Sequence, residues 1–440
     1  MSTQLVEPPA AAEKFTPQQW GRLGFLVMAG GTIFKLSSIK DVFYVPMQED
    51  WGFSNAQIGL GLSVYAMVQT LTYFAAPYLA DRFSKKYLLT AGLLGVGLSG
   101  LYLATMPTFT GFLIVFGVLG LFGEAIFWPS LLKAVSLIGN DKQQGRLFGF
   151  LEAGRGVVDV AVAFSALGIF SLFGGGLAGM RAGILFYAGV ALIVGIVTFF
   201  VTDDKDQIRA TDGLSANAEV FAGIKHVIRR RETWMAAFVI FFIYSTYAGL
   251  TYFIPFLRDI YGLPVVLIGA YGIINQYALK MVGGPIGGYI ADKVLKSSLR
   301  YLTITSAIAA VVIVGFAFLP HTVLPVWLGM TMTLAFGAII FTQRAVFFAP
   351  ISEVGTPREF MGAGMAIGCL IGYAPSLFAY YLYGSLLDNN PGILGYQFVF
   401  VIMGIFSAVG FVLSLMLHRR VRNSGTRQMP ELDQKVESVS

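Results

Sequence analysis

The sequence predicts an all-α membrane protein whose helices fall into two halves of similar plan, and three observations carry this. Hydrophobic residues make up 56% of the 440 and charged residues only 12%, against about half and a quarter in soluble domains. The apolar residues gather into twelve segments, each near the ~20 residues a helix needs to cross hydrocarbon, where lipid offers the backbone no hydrogen-bond partner. A hexapeptide also occurs twice: Pro77-Tyr78-Leu79-Ala80-Asp81-Arg82 closes the second segment, and Gly288-Tyr289-Ile290-Ala291-Asp292-Lys293 closes the eighth, about 210 residues later.

Taken in order, residues 1–21 form a polar, proline-containing tail with no short apolar core ending in a cleavage site, so no cleaved signal peptide is expected. The first half, 22–202, holds spans at 22–45, 55–79, 87–106, 110–137, 146–172 and 182–202. Residues 203–232 form a linker, in which Val220, Phe221, Ile224, Val227 and Ile228 recur at helical spacing before Arg229, Arg230 and Arg231. That is the pattern of an amphipathic helix lying on a membrane face with its basic end near anionic headgroups. The second half, 233–418, holds spans at 233–257, 264–290, 301–320, 324–349, 358–387 and 395–418, and 419–440 is a polar tail. The loops after even-numbered spans collect Arg82, Lys85, Lys86, Lys142, the arginine triplet, Lys293, Lys296 and Arg300, and the C-terminal tail adds Arg419, Arg420 and Arg422, whereas the opposite loops offer only Arg181 and Arg258. By the positive-inside rule both termini are expected in the cytoplasm, in a bacterial inner membrane.

The repeated loop, with its trailing lysines, resembles the loop between the second and third helices of Major Facilitator Superfamily transporters, whose pattern is roughly G-x-L-A-D-R-x-G-R-K. The first copy departs from it at Pro77 and Ser84, where the family carries glycine. The resemblance covers about residues 20 to 420 and implies two pseudo-symmetric six-helix bundles around a central cavity, working by alternating access. It also implies a cytoplasmic gate of Asp81, Arg82, Asp292 and Lys293. Asp81 would face the start of the eleventh span near Gly355 to Arg358, and Asp292 the start of the fifth near Gly145 and Arg146.

Charges inside spans are the informative residues, because each costs at least about 2.5 kcal/mol at the centre of a membrane helix. They are Lys35, Lys40 and Asp41 in the first span, Glu124 and Lys133 in the fourth, Glu152, Arg155 and Asp159 in the fifth, Lys280 in the eighth and Arg344 in the tenth. Spans three, six, nine and twelve carry charge only at their ends, as expected of a lipid-facing scaffold. Lys133 and Arg344 are near enough to an interface to snorkel, while Lys35 and Lys280 lie near the midplane and are expected to contact substrate, one from each half. Lys40 and Asp41 are adjacent, about 100° apart around a helix, and are expected not to neutralise each other face to face. Glu152, Arg155 and Asp159 share one side of their helix, an ion-pair ladder with one acid in excess. Glu124 has no basic residue at helical spacing, which makes it the first candidate for carrying a proton, with Glu152 and Asp159 as alternates. Gln69, Tyr244, Tyr247, Tyr252, Tyr271, Asn275, Gln276 and Tyr277 either complete a polar cavity with Arg155 and Arg344 or glue helices together.

No enzyme constellation is present: the three histidines lie at span ends or in loops, and there is no HExxH, GxSxG or GxxxxGK[ST]. The lone Cys369 excludes a disulfide framework and a thiolate cluster. No cofactor, metal or nucleic acid is expected, since the formal charge of +6 sits at span ends rather than on one polar face. A monomer exchanging a small solute with a coupling ion, most simply a proton, across the bilayer is the leading expectation. The excess of deep basic residues favours organic anions such as sugar acids or sugar phosphates. Neutral sugars or polyols come second, lipophilic drugs third, and a sensor that binds without transporting stands as the alternative from another class.

Overall fold

A computed structural model describes residues 15–72, 83–139, 143–202, 227–356 and 360–437. Asp81, Arg82, Arg358, the first part of the N-terminal tail and most of the linker lie outside the described residues.

Among the described residues the regular elements are helices, with no strand. Thr16 and Gln19 open α1 (Pro17–Thr32) with a reciprocal capping box, each side chain bonded to the other's backbone amide, and Pro17 sits where its missing N–H costs nothing. After a run of turns, α2 (Lys40–Glu49) completes the expected first span. Its interior Pro46 crowds the carbonyl four residues earlier, and Phe43 beside that point leaves helical geometry. The second span is described as α3 (Asn55–Thr72).

Among the described residues, ten helices after α3 are long and apolar enough to cross a membrane. They are α4 (Lys85–Leu103), α5 (Phe109–Ser136), α6 (Gln144–Leu172), α7 (Gly176–Val201), α8 (Arg231–Asp259), α9 (Val265–Val294), α10 (Ser298–Ala317), α11 (Val326–Val346), α12 (Met361–Asn389) and α13. The last, α13 (Ile393–Glu437), runs on through the expected C-terminal tail as continuous helix. Wider π-turns interrupt α5 at Leu121–Phe127 and α9 at Ile274–Ala278 and Ile290–Val294. Such bulges cluster at functional positions, because one extra residue per turn re-aims the side chains around it.

Within 17–201, α1 packs on α6, α3 on α5 and α4 on α7; within 231–423, α8 packs on α12 and α13, α9 on α11 and α10 on α13. The helices alternate in direction, so one face of the layer carries the chain termini and the other the loops at 50–54, 104–108, 260–264 and 390–392. The two halves meet most closely near that second face. There α3 lies along the end of α12, and α2 touches α8 and α9. Glycine makes this approach possible. A Cβ at Gly59 would strike the carbonyl of Tyr380, and one at Gly384 the carbonyl of Asn55. Arg258 of α8 also pairs with Glu49 of α2 at 2.7 Å.

Candidate functional site

Between the halves lies a cavity of two adjoining parts, of 510 Å³ and 460 Å³. Both parts share Glu152, Arg155 and Asp159 from α6, Tyr277 and Lys280 from α9, and Arg344 from α11. Gly149 and Ala345 line the first part, each near the terminal-face end of its helix. The second part reaches Lys40, Asp41, Tyr65, Gln69, Glu124, Trp128, Tyr244, Tyr247, Tyr373, Ser376 and Tyr380.

Three cations in or just beneath its wall already have carboxylate partners. Lys35 lies at the junction of the halves, 2% exposed. Its Nζ is 2.6 Å from Asp159 Oδ1, donates to the Asp159 carbonyl at 3.2 Å, and sits 3.6 Å from the ring centre of Tyr277 in the other half. In this conformation Lys35 is therefore beneath the cavity wall and not on it. Arg155 binds Glu152 at 2.8 Å and the Gly30 carbonyl at 3.1 Å, and its guanidinium lies over the Trp128 ring at 4.4 Å. The expected ladder on α6 is thus half formed, and its surplus acid, Asp159, serves Lys35. Lys40 and Asp41, expected to be held apart by helix geometry, form a direct ion pair. They stand at the first turn of α2, where the chain has just left a run of turns, so the long lysine stem folds back onto its neighbour.

The other two cations are differently placed. Arg344 stacks on the Tyr247 ring at 3.9 Å and within 5.5 Å of Tyr244, and among the described residues no carboxylate is bound to it. Stacking occupies the guanidinium face and leaves its N–H edge free to donate in the plane. Lys280 is exposed to the cavity, and among the described residues no hydrogen bond or ion pair engages its ammonium. Glu124, carried by the π-turn of α5, accepts from the Tyr65 hydroxyl at 2.8 Å, with Gln69 as a second partner, and among the described residues no cation is in contact with it.

Asn275 and Gln276, expected near the substrate, are buried against α8. Asn275 Nδ2 donates to the Leu250 carbonyl at 3.4 Å, and Gln276 accepts from Tyr247 at 3.5 Å. Neither lines the cavity, so their place is in helix packing behind Tyr247. Asp292 and Lys293 are exposed on the terminal face, and Arg146 lies instead over Phe15 at 4.7 Å. Sequence reasoning passed over Tyr65, Tyr373, Ser376 and Tyr380. The signal was available: Tyr65 stands one turn before Gln69, and Tyr373, Ser376 and Tyr380 recur at i, i+3 and i+7 around Pro375.

Residues 25–379 match the family model of the Major Facilitator Superfamily. The chain belongs to that superfamily. Its members move small molecules across lipid bilayers and are not enzymes, in keeping with a helical, multi-pass chain around a polar cavity. It is 50% identical over 411 residues to inner membrane protein YihN of Escherichia coli (strain K12), covering 92% of this chain and 97% of that one. It is 23% identical to the probable L-galactonate transporter of the same organism, over 88% and 86% of the two chains. Among solved structures it resembles an inward-facing, unoccupied bacterial homolog of the human lysosomal transporter Spinster. The TM-score is 0.76 at 14% identity, covering 93% of this chain and 99% of that one.

Proposed function

We propose that this protein is a proton-coupled secondary transporter of a small organic anion, working by alternating access in an inner membrane with both termini in the cytoplasm. The observation that carries the substrate class is the pair Lys280 and Arg344, two cations on the cavity wall with no carboxylate partner among the described residues. An unpaired charge at this depth is costly, and an anionic ligand is the partner that offsets it. Arg344 offers a planar donor edge suited to a carboxylate or another oxyanion, Lys280 a compact charge, and the tyrosines around them hydroxyls for a polyhydroxylated body. The name of the L-galactonate relative supports a sugar acid.

Glu124 is the proton carrier in this reading. It is held by hydroxyl and amide groups rather than by a cation, so its charge is free to change with the state of the cavity. The distribution of basic loops supports the terminal face as the cytoplasmic one, and closure of the opposite face fits an inward-facing conformation. The decisive experiment is a thermal-shift screen of the purified protein against sugar acids, sugar phosphates and the matching neutral sugars, since a ligand bound only by the native state raises the midpoint. Stabilisation by anions that is absent in Lys280→Gln supports the reading. Stabilisation by neutral sugars alone overturns it.

A further inference from the structure

The notable polar contact away from the cavity lies where the halves close. Asp388, at the last turn of α12, reaches across to the start of α3 in the other half. One carboxylate oxygen accepts from the Asn55 amide at 3.1 Å and from Asn55 Nδ2 at 2.9 Å, and the second accepts from the Ala56 amide at 2.8 Å. These are the free N–H groups that every helix leaves at its first turn, and they favour a negative partner. Ser54, one residue upstream, caps α3 in the ordinary way, its Oγ accepting from the Gln57 amide at 3.2 Å. The Asn55 and Ala56 amides, which that cap does not reach, are satisfied instead by a residue more than 330 positions away, in the half that must move.

The surroundings make the contact directional. The Asn55 side chain is fixed by donors from Tyr44 at 2.8 Å and Gln48 at 3.0 Å. Gly384, one turn before Asp388, lets α12 touch the Asn55 backbone. Separating the halves on this face removes the carboxylate and returns the Asn55 and Ala56 amides to water, while the Ser54 cap stays with α3.

We propose that Asp388 is the latch of the face opposite the termini: it caps α3 only while that face is closed, and so sets the balance between the two orientations of the carrier. This does for one face what the sequence pattern suggested for Asp292 on the other. It asks nothing of the substrate, so the anionic-ligand reading and the latch stand or fall separately.

The test uses the full chain with Cys369 replaced by alanine and a single reporter, Ser38→Cys, on the cavity wall. Whole cells are treated with a membrane-impermeant thiol reagent, and inside-out vesicles with the same reagent. The latch predicts that Asp388→Ala raises labelling from the face opposite the termini about three- to tenfold and lowers it from the terminal face, as loss of a helix cap shifts a two-state balance. Asp388→Asn should give a smaller shift of the same sign, and Asp388→Glu should restore much of the original pattern. Gly384→Ala, which wedges the same seam without touching the carboxylate, should also raise labelling from that face. Unchanged rates from both faces in Asp388→Ala overturn the proposal. So does an equal fall from both, which would mark the residue as merely structural. If Asp388→Ala does not reach the membrane, the outcome for Gly384→Ala and Asp388→Asn decides.

Discussion

Replacing Lys35 strips the buried Asp159 carboxylate of its cation, whereas replacing Lys280 removes a charge that only the cavity sees. The two midplane lysines therefore separate by experiment. Lys35→Gln is expected to destabilise the purified protein by about 3–5 kcal/mol, because breaking one side of a buried ion pair leaves the other uncompensated. Adding Asp159→Asn should return most of that loss. Lys280→Gln should leave the thermal midpoint of the empty protein nearly unchanged and weaken an anionic ligand about ten- to a hundredfold, the worth of a hydrogen bond to a charged group. Unchanged ligand affinity in Lys280→Gln would sink the substrate assignment. For Glu124→Gln the expectation is that substrate exchange across proteoliposomes survives while uphill accumulation under a proton gradient is lost. Accumulation as in the unaltered protein would move proton coupling elsewhere.

At the scale of the element, helix ends and loops supply what the spans themselves cannot. The carboxylate of Glu353, just past α11, accepts from the Ser298 amide at 2.5 Å, the Leu299 amide at 3.2 Å and the Ser297 hydroxyl at 3.1 Å, capping α10. Glu353→Ala should cost about 0.5–2 kcal/mol, read as a lower thermal midpoint, and Glu353→Gln less. In the loop after α10, His321 is 3% exposed. Its Nε2–H donates to the Phe316 carbonyl at 2.8 Å, which leaves Nδ1 to accept from Tyr261 at 2.9 Å. Burial lowers its pKa below the ordinary 6.5. Above that value the ring is neutral in both folded and unfolded chains. As pH falls below it, the unfolded chain takes up a proton that the native site resists, so stability drops until the folded value is passed. Between about pH 7 and pH 5.5 the midpoint should fall more steeply in the unaltered protein than in His321→Phe. Parallel curves would remove His321 from the account.

For the whole molecule, hydropathy and the repeated Asp81 and Asp292 loops made the helical, two-part plan legible, because lipid leaves the backbone few alternatives. Charge inside spans likewise pointed to the residues that now line one cavity, Glu124, Glu152, Arg155, Lys280 and Arg344. Partners were less legible. Lys35 and Asp159 lie 124 positions apart, and only the packing of α1 on α6, carried on into the turns after α1, brings them together. Asn275 and Gln276 had the right chemistry, but the face they present is set by a π-turn that helical periodicity does not foresee. The contact of Lys35 with Tyr277 has a consequence for kinetics. In the alternating-access cycle proposed above, a contact that joins the halves at mid-depth is nearest the fulcrum of the motion, where displacement is smallest. Interactions there are kept in both orientations and cannot favour either. Loosening it with Tyr277→Leu should therefore alter the forward and return reorientation rates by the same factor and leave their ratio untouched. It acts as a bearing, whose quality governs speed and not destination.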